Sequence, residues 1–111
     1  MKNTTKLALT SIVLALSAGV ALAAPAAENW DNLCASCHGA DGKGLTKTGK
    51  KLKLRDYTDA KVQAELKDAD MAKAITDGVK VDGKEKMKAF KDEISAAEVT
   101  DLVAYVRKFK A

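Results

Sequence analysis

Five consecutive residues, Cys34-Ala35-Ser36-Cys37-His38, carry the chemistry of this chain. Two thiols with two residues between them, followed at once by an imidazole, form the attachment motif for c-type haem. Each sulfur can add to one haem vinyl group and form a thioether. Two such bonds hold the macrocycle against the backbone and place His38 under the iron, where a ring nitrogen can ligate it. The spacing matters because vinyl groups and iron are fixed points on one rigid ring. The same residue types also suit a thioredoxin-like dithiol, half a zinc site or a structural disulfide. A zinc site needs about four ligands. The chain has two cysteines and one histidine, so zinc is set aside.

His38 is the sole histidine, which excludes bis-histidine ligation within one chain. The soft candidates for the sixth ligand are Met71 and Met87. Met71 falls on the apolar stripe of an expected helix, where methionine commonly fills the core. Met87 stands in an irregular stretch among Lys84, Lys86 and Lys88, where burial has no packing reason. A loop also drapes over an open haem face more easily than a helix docks there. Met87 is therefore the expected distal ligand. Met71, or an open or lysine-ligated iron, is the alternative. His/Met ligation raises the potential relative to two nitrogen donors and fills both axial positions. The consequence is electron transfer, not substrate chemistry, so the chain is not read as an enzyme.

The elements that position these residues follow from periodicity. A first helix is expected from about Ala26 to Ser36, with Trp30, Leu33 and Cys37 at helical spacing and Trp30 packed in the core. Three glycines in Gly39-Ala40-Asp41-Gly42-Lys43-Gly44 mean tight turns. No strand precedes them and the phosphate-loop pattern is absent. Residues 43–55 read as a Lys-, Thr- and Gly-rich loop. Its charge run is either a solvated face or, at one cation or at Thr46 or Thr48, a partner for a haem propionate. Leu45, Leu52 and Leu54 are expected to dip toward the haem.

Thr58-Asp59-Ala60 starts a short helix to about Lys67. Asp68 or Asp70 caps the next, about Ala69 to Asp77, with Met71 and Ile75 inside and Gly78 as its left-handed C-terminal cap. Residues 79–94 read as a loop containing the turn signal Asp82-Gly83. Ser95-Ala96-Ala97-Glu98 is a capping box for a last helix whose stripe is Val99, Leu102, Val103 and Val106, with Tyr105 on its edge. Arg107, Lys108 and Lys110 suit the negative end of its dipole. The expected fold class is all-α: about four helices and long loops wrapped around one covalently bound haem.

The N-terminus has a different character. Lys2 and Lys6, the apolar run Leu7 to Leu22 and the small-x-small site Ala21-Leu22-Ala23 read as a secretory signal peptide over residues 1–23. That leaves 24–111 as one domain with no membrane span after cleavage. Losing Lys2 and Lys6 from the 19 basic residues leaves 17 against 15 acidic ones, too balanced to argue nucleic-acid binding. A domain this small has a marginal core without a staple, so the apoprotein is expected to be largely unfolded and the haem to supply apolar bulk.

The chain resembles a small bacterial class I c-type cytochrome, mono-haem and His/Met ligated. The resemblance rests on Trp30-Asp31-Asn32-Leu33-Cys34-Ala35-Ser36-Cys37-His38-Gly39, the Gly42-Lys43-Gly44 turn, Met87-Lys88-Ala89-Phe90 and Asp101-Leu102-Val103-Ala104-Tyr105-Val106-Arg107. It implies that the first and last helices cross, with Trp30 meeting Leu102 and Tyr105. It also implies Met87 as distal ligand. Relatives often have proline after that methionine; here Lys88 follows, which implies a looser loop and a weaker Met–Fe bond. The expected function is that of a soluble, monomeric periplasmic carrier shuttling single electrons between redox proteins that dock transiently at the haem edge. Lys84, Lys86, Lys88, Lys91 and the 43–55 loop would guide acidic partners. The alternatives are a haem peroxidase or gas or redox sensor with a displaceable distal ligand, and a dithiol oxidoreductase or disulfide-stapled module.

Overall fold

The computed structural model describes residues 23–110; the proposed signal peptide, apart from Ala23, lies outside them. A helical run opens the fold in three pieces: α1 (Ala26–Asn29), a π-helical stretch (Trp30–Cys34) and α2 (Ala35–His38). The π-turn adds a residue to the helical register. Asn29 and Trp30 at its start and Cys34 at its end are all buried. Gly39 then breaks the helix at φ 82°, and Gly44 N–H returns to the His38 carbonyl at 2.8 Å.

Residues 43–55 are not a loop throughout. They contain α3 (Lys47–Leu52). The segment has no apolar stripe, so packing periodicity does not announce it. Thr46 starts it by accepting a bond from Gly49 N–H, and Lys53 ends it in the left-handed conformation. Next come α4 (Ala60–Glu65), capped by Asp59, and α5 (Asp68–Asp77). Lys67 occupies the N-cap of α5 without a side-chain bond, so neither Asp68 nor Asp70 caps it. Both sit in its first turn, where the dipole favours carboxylates. Gly78 does end α5 with positive φ, but its ψ of −178° is extended, not left-handed helical.

The stretch 79–94 also holds more order than expected. β1 (Val79–Val81) and β2 (Lys84–Met87) form an antiparallel hairpin. The turn signal Asp82-Gly83 closes it with positive φ at both residues, the requirement of the tight two-residue turn that follows strand twist. Val79 faces Met87 and Lys80 faces Glu85, so Lys86 is an extra residue in β2. Such a bulge re-aims neighbouring side chains.

α6 (Ala96–Arg107) begins with the complete capping box of Ser95 and Glu98. Its buried stripe is Val99, Leu102, Val103 and Val106, joined in one core with Trp30, Met71, Ile75, Phe90 and Ile94. Trp30 is 2% exposed and Leu102 1%. The Trp30 ring lies 5.6 Å from that of Tyr105 and 5.0 Å from that of Phe109, which seats the first helical run on the last helix. Asn29 Nδ2 donates to Glu98 Oε2 at 2.7 Å across the same crossing. At the other end of α6, Arg107 donates to Asp68 Oδ1 and to the Gln63 and Leu66 carbonyls, clasping the α4–α5 junction. The architecture is mostly helical, with the small hairpin as its one sheet among the described residues.

Candidate functional site

One cavity of about 630 Å³ receives Cys34, Cys37, His38 and Met87 together. Leu33, Leu54, Val79 and Phe90 supply apolar wall. Lys53, Arg55, Lys86 and Lys88 stand among its polar lining. That volume is in the range of small-molecule and cofactor sites. Met71 is buried in the core and does not line this cavity. The two methionines differ in place: Met71 fills the core and Met87 opens onto the cavity.

The helical run delivers the first three donors. Cys34 is buried at the end of the π-turn, and Cys37 and His38 are half-buried in the last turn of α2. The two cysteines are not joined to each other. Burial, and secondarily the neighbouring Cys37, pushes the Cys34 thiol up to about 11.

His38 is held by rings. Its imidazole stacks on Tyr57 with centroids 5.3 Å apart and a 23° interplanar angle. Trp30 lies 5.7 Å away, tilted by 41°. The indole N–H of Trp30 donates to the Gly39 carbonyl at 3.0 Å, so the ring beside His38 is itself fixed. Burial lowers the His38 pKa and favours the neutral imidazole, the form that binds metals. Its Nδ1 is buried with no hydrogen-bond partner. An imidazole whose polar demand the protein leaves unmet suits a ring that bonds a metal. Two thiols, this imidazole and a thioether on one apolar cavity fit the group that the attachment motif calls for.

One contributor was missing from the sequence reading: Tyr57, whose signal was a lone aromatic in a polar stretch. Thr46 was weighed only as a partner for a haem propionate. Its hydroxyl donates to the Cys37 carbonyl at 2.6 Å and accepts from Gly49 N–H at 2.9 Å, which occupies it as a tie between α3 and the attachment motif. Of the three leucines expected to face inward, Leu54 lines the cavity, whereas Leu45 is 63% exposed. Leu52 is half-buried elsewhere. Around the rim, Arg55 pairs with Glu65 and Lys88 with Glu93.

A family model described as "Cytochrome C oxidase, cbb3-type, subunit III" matches residues 21–106. Among solved structures, the chain is similar to "KustC0563 c-type cytochrome" at 33% identity and a TM-score of 0.70, over 79% of this chain and 100% of that one. A tyrosine-to-phenylalanine mutant of Kustc0563 matches at 33% identity and a TM-score of 0.68, over 78% of this chain and 100% of that chain. No curated protein sequence matches.

Proposed function

Because the chain belongs to the c-type cytochromes, we propose that it is a soluble periplasmic electron carrier that passes single electrons between redox proteins. Membership brings haem c, covalently bound with its iron, and with it haem-based electron transfer. The haem supplies a one-electron iron couple whose potential follows its axial donors.

The chain's own residues take these roles. Cys34 and Cys37, one helical turn apart, would hold the haem through two thioethers. His38 would offer a nitrogen to the iron, and Tyr57 and Trp30 keep its ring from turning. Met87 would offer the second donor, a sulfur, from β2. With His38 and Met87 both engaged, a bound haem would carry an electron and would offer no open position to a substrate. Leu33, Leu54, Val79 and Phe90 give the cavity an apolar wall, which would favour the less charged state of a bound haem.

No helix among the described residues is long and apolar enough to cross a membrane. Family membership brings redox partners. Docking at the haem edge as a monomer, guided by Lys84, Lys86 and Lys91, is part of the proposal. Lys88 contributes less to that guidance, because Glu93 already faces it.

The observation that carries this reading is the convergence of all four donors on one cavity. Reduced-minus-oxidised absorption spectra of the wild type and Met87→Ala test it. The wild type is expected to show a low-spin c-type spectrum with a Met–Fe charge-transfer band in the ferric form. Met87→Ala should lose that band and bind carbon monoxide at once when reduced. An unchanged spectrum in Met87→Ala removes Met87 from the iron, and prompt carbon monoxide binding by the wild type moves the protein toward a sensor or peroxidase.

A further inference from the structure

Gly78 ends α5 at φ 73°, a conformation that glycine adopts without steric cost. It also lies directly against the backbone that carries Met87. A Cβ at this position would lie 2.6 Å from the Met87 carbonyl oxygen, 2.8 Å from Ala89 N and 3.1 Å from the Lys88 carbonyl carbon. All three are main-chain atoms, so no side-chain rotation relieves the contact. The following amides close the same seam. Phe90 N–H donates to the Ile75 carbonyl at 2.9 Å and Lys91 N–H to the Thr76 carbonyl at 3.3 Å. These bonds use carbonyls that the end of α5 leaves without helical partners. From the other direction, Met87 pairs with Val79 in the hairpin. The Phe90 side chain is buried in the core.

We infer that Gly78 is a positioning residue for the Met87 sulfur. The space its missing side chain leaves lets the 87–89 backbone seat against the end of α5, and that seat sets how far Met87 reaches into the cavity. The inference rests on Met87 being the distal donor. It also revises the expectation attached to Lys88: the segment needs no proline to be stiff, because a backbone-to-backbone contact and two amide bonds already fix it.

The test compares holoproteins of the wild type, Gly78→Ala, Gly83→Ala and Met87→Ala. Gly83 shares the backbone conformation, at φ 75°, but a Cβ there meets nothing within 4 Å. It reproduces the conformational strain without the contact. Two quantities are read on the ferric proteins, the Met–Fe charge-transfer band and the affinity for added imidazole, which competes with the distal sulfur. Gly78→Ala should lose most of the band and bind imidazole at least about tenfold more tightly. Gly83→Ala should stay close to the wild type in both. A Gly78→Ala protein that keeps the wild-type band and affinity, or that changes no more than Gly83→Ala, overturns the inference.

Met87→Ala separates the two levels. If it keeps the band, the ligand assignment itself is wrong. If it abolishes the band while Gly78→Ala keeps it, the positioning role alone fails. Should Gly78→Ala not accumulate as holoprotein, Lys88→Pro against Lys88→Ala decides. A segment already seated gains nothing from proline, so the two should bind imidazole alike. If proline weakens imidazole binding about tenfold relative to alanine, the segment is loose and the role of Gly78 falls.

Discussion

His38 and Met87 open onto the same cavity, yet the chain holds them by different means. On the His38 side, side chains from distant parts of the sequence converge. Trp30 packs against Tyr105 and Phe109 of the C-terminal region. Asn29 reaches Glu98, and α3 is tied to Cys37 through Thr46. On the Met87 side the support is local backbone: a hairpin exposed along most of its length and seated on α5 by main-chain contacts. The difference teaches where stability and where reactivity reside. Long-range apolar burial sets the global free energy of unfolding, whereas a short, solvent-facing hairpin belongs to the least stable end of the structure. The His38 side is therefore the part that should open only with the whole fold, and the hairpin's exposed end around Asp82-Gly83, beyond the seat of Met87 on α5, the part that should open first.

The largest expected effect tests that contrast by truncation. Trp30→Ala removes a fully buried indole and its bond to the Gly39 carbonyl, and should cost about 3–5 kcal/mol. Val81→Ala, on the hairpin at 48% exposure, should stay within about 0.5 kcal/mol. Urea unfolding of the holoproteins measures both. Similar losses at the two positions would erase the distinction between the two sides.

A smaller effect sharpens the account of the attachment side. Thr46 both caps α3 and donates to the Cys37 carbonyl, so Thr46→Ala should cost about 0.5–2 kcal/mol. Thr46→Ser keeps the hydroxyl and should recover most of the loss. If serine is as damaging as alanine, the methyl group and not the tie is what matters. Gly49 supports the tie: a Cβ there would lie 2.6 Å from the Cys37 carbonyl oxygen and closer still to that of Gly44. The close approach of α3 to the attachment motif thus depends on a residue without a side chain.

These positions also show which features the sequence could reveal. Cys34, Cys37 and His38 stood out because their residue types are rare in this chain and the attachment motif fixes their spacing. Met71 and Met87 separated on pattern, since one repeats with Ile75 on a helical stripe and the other does not. The capping box at Ser95 and the burial of Trp30 are local signals that tertiary structure reinforces. α3 was hidden because Lys47-Thr48-Gly49-Lys50-Lys51-Leu52 has no stripe; its stability comes from a cap and from contact with Cys37, both invisible to periodicity. The hairpin was half visible. Asp82-Gly83 announced the turn, but three- and four-residue strands give too short an alternation to read. The roles of Gly49 and Gly78 depend on which backbone passes beside them, and that information exists only once the chain is folded.

The smallest effect is one of pH and concerns the tie between the first and last helical segments. The Glu98 carboxylate accepts first the Asn29 amide, at 2.7 Å, and then the Ser95 N–H, at 3.1 Å. Together these bonds hold its pKa below the ordinary 4.5. In the unfolded chain the group returns to that ordinary value. Above it, both states are ionised and the stabilisation is fully present. As pH falls below it, the unfolded chain takes up a proton that the folded chain refuses, and stability declines until the folded value is passed. Glu98→Gln should therefore be less stable at neutral pH and lose less stability on acidification below pH 4.5. Asn29→Ala, which removes the leading cause of the shift, should flatten the same limb. Urea midpoints measured on the holoproteins through this range check both. The group is on the surface and solvent screens it, so the slope, not the neutral-pH difference, is the discriminating quantity. Equal slopes in all three proteins would mean that the crossing is held by Trp30 and its aromatic neighbours alone, and that the Asn29–Glu98 bond follows the packing without reinforcing it.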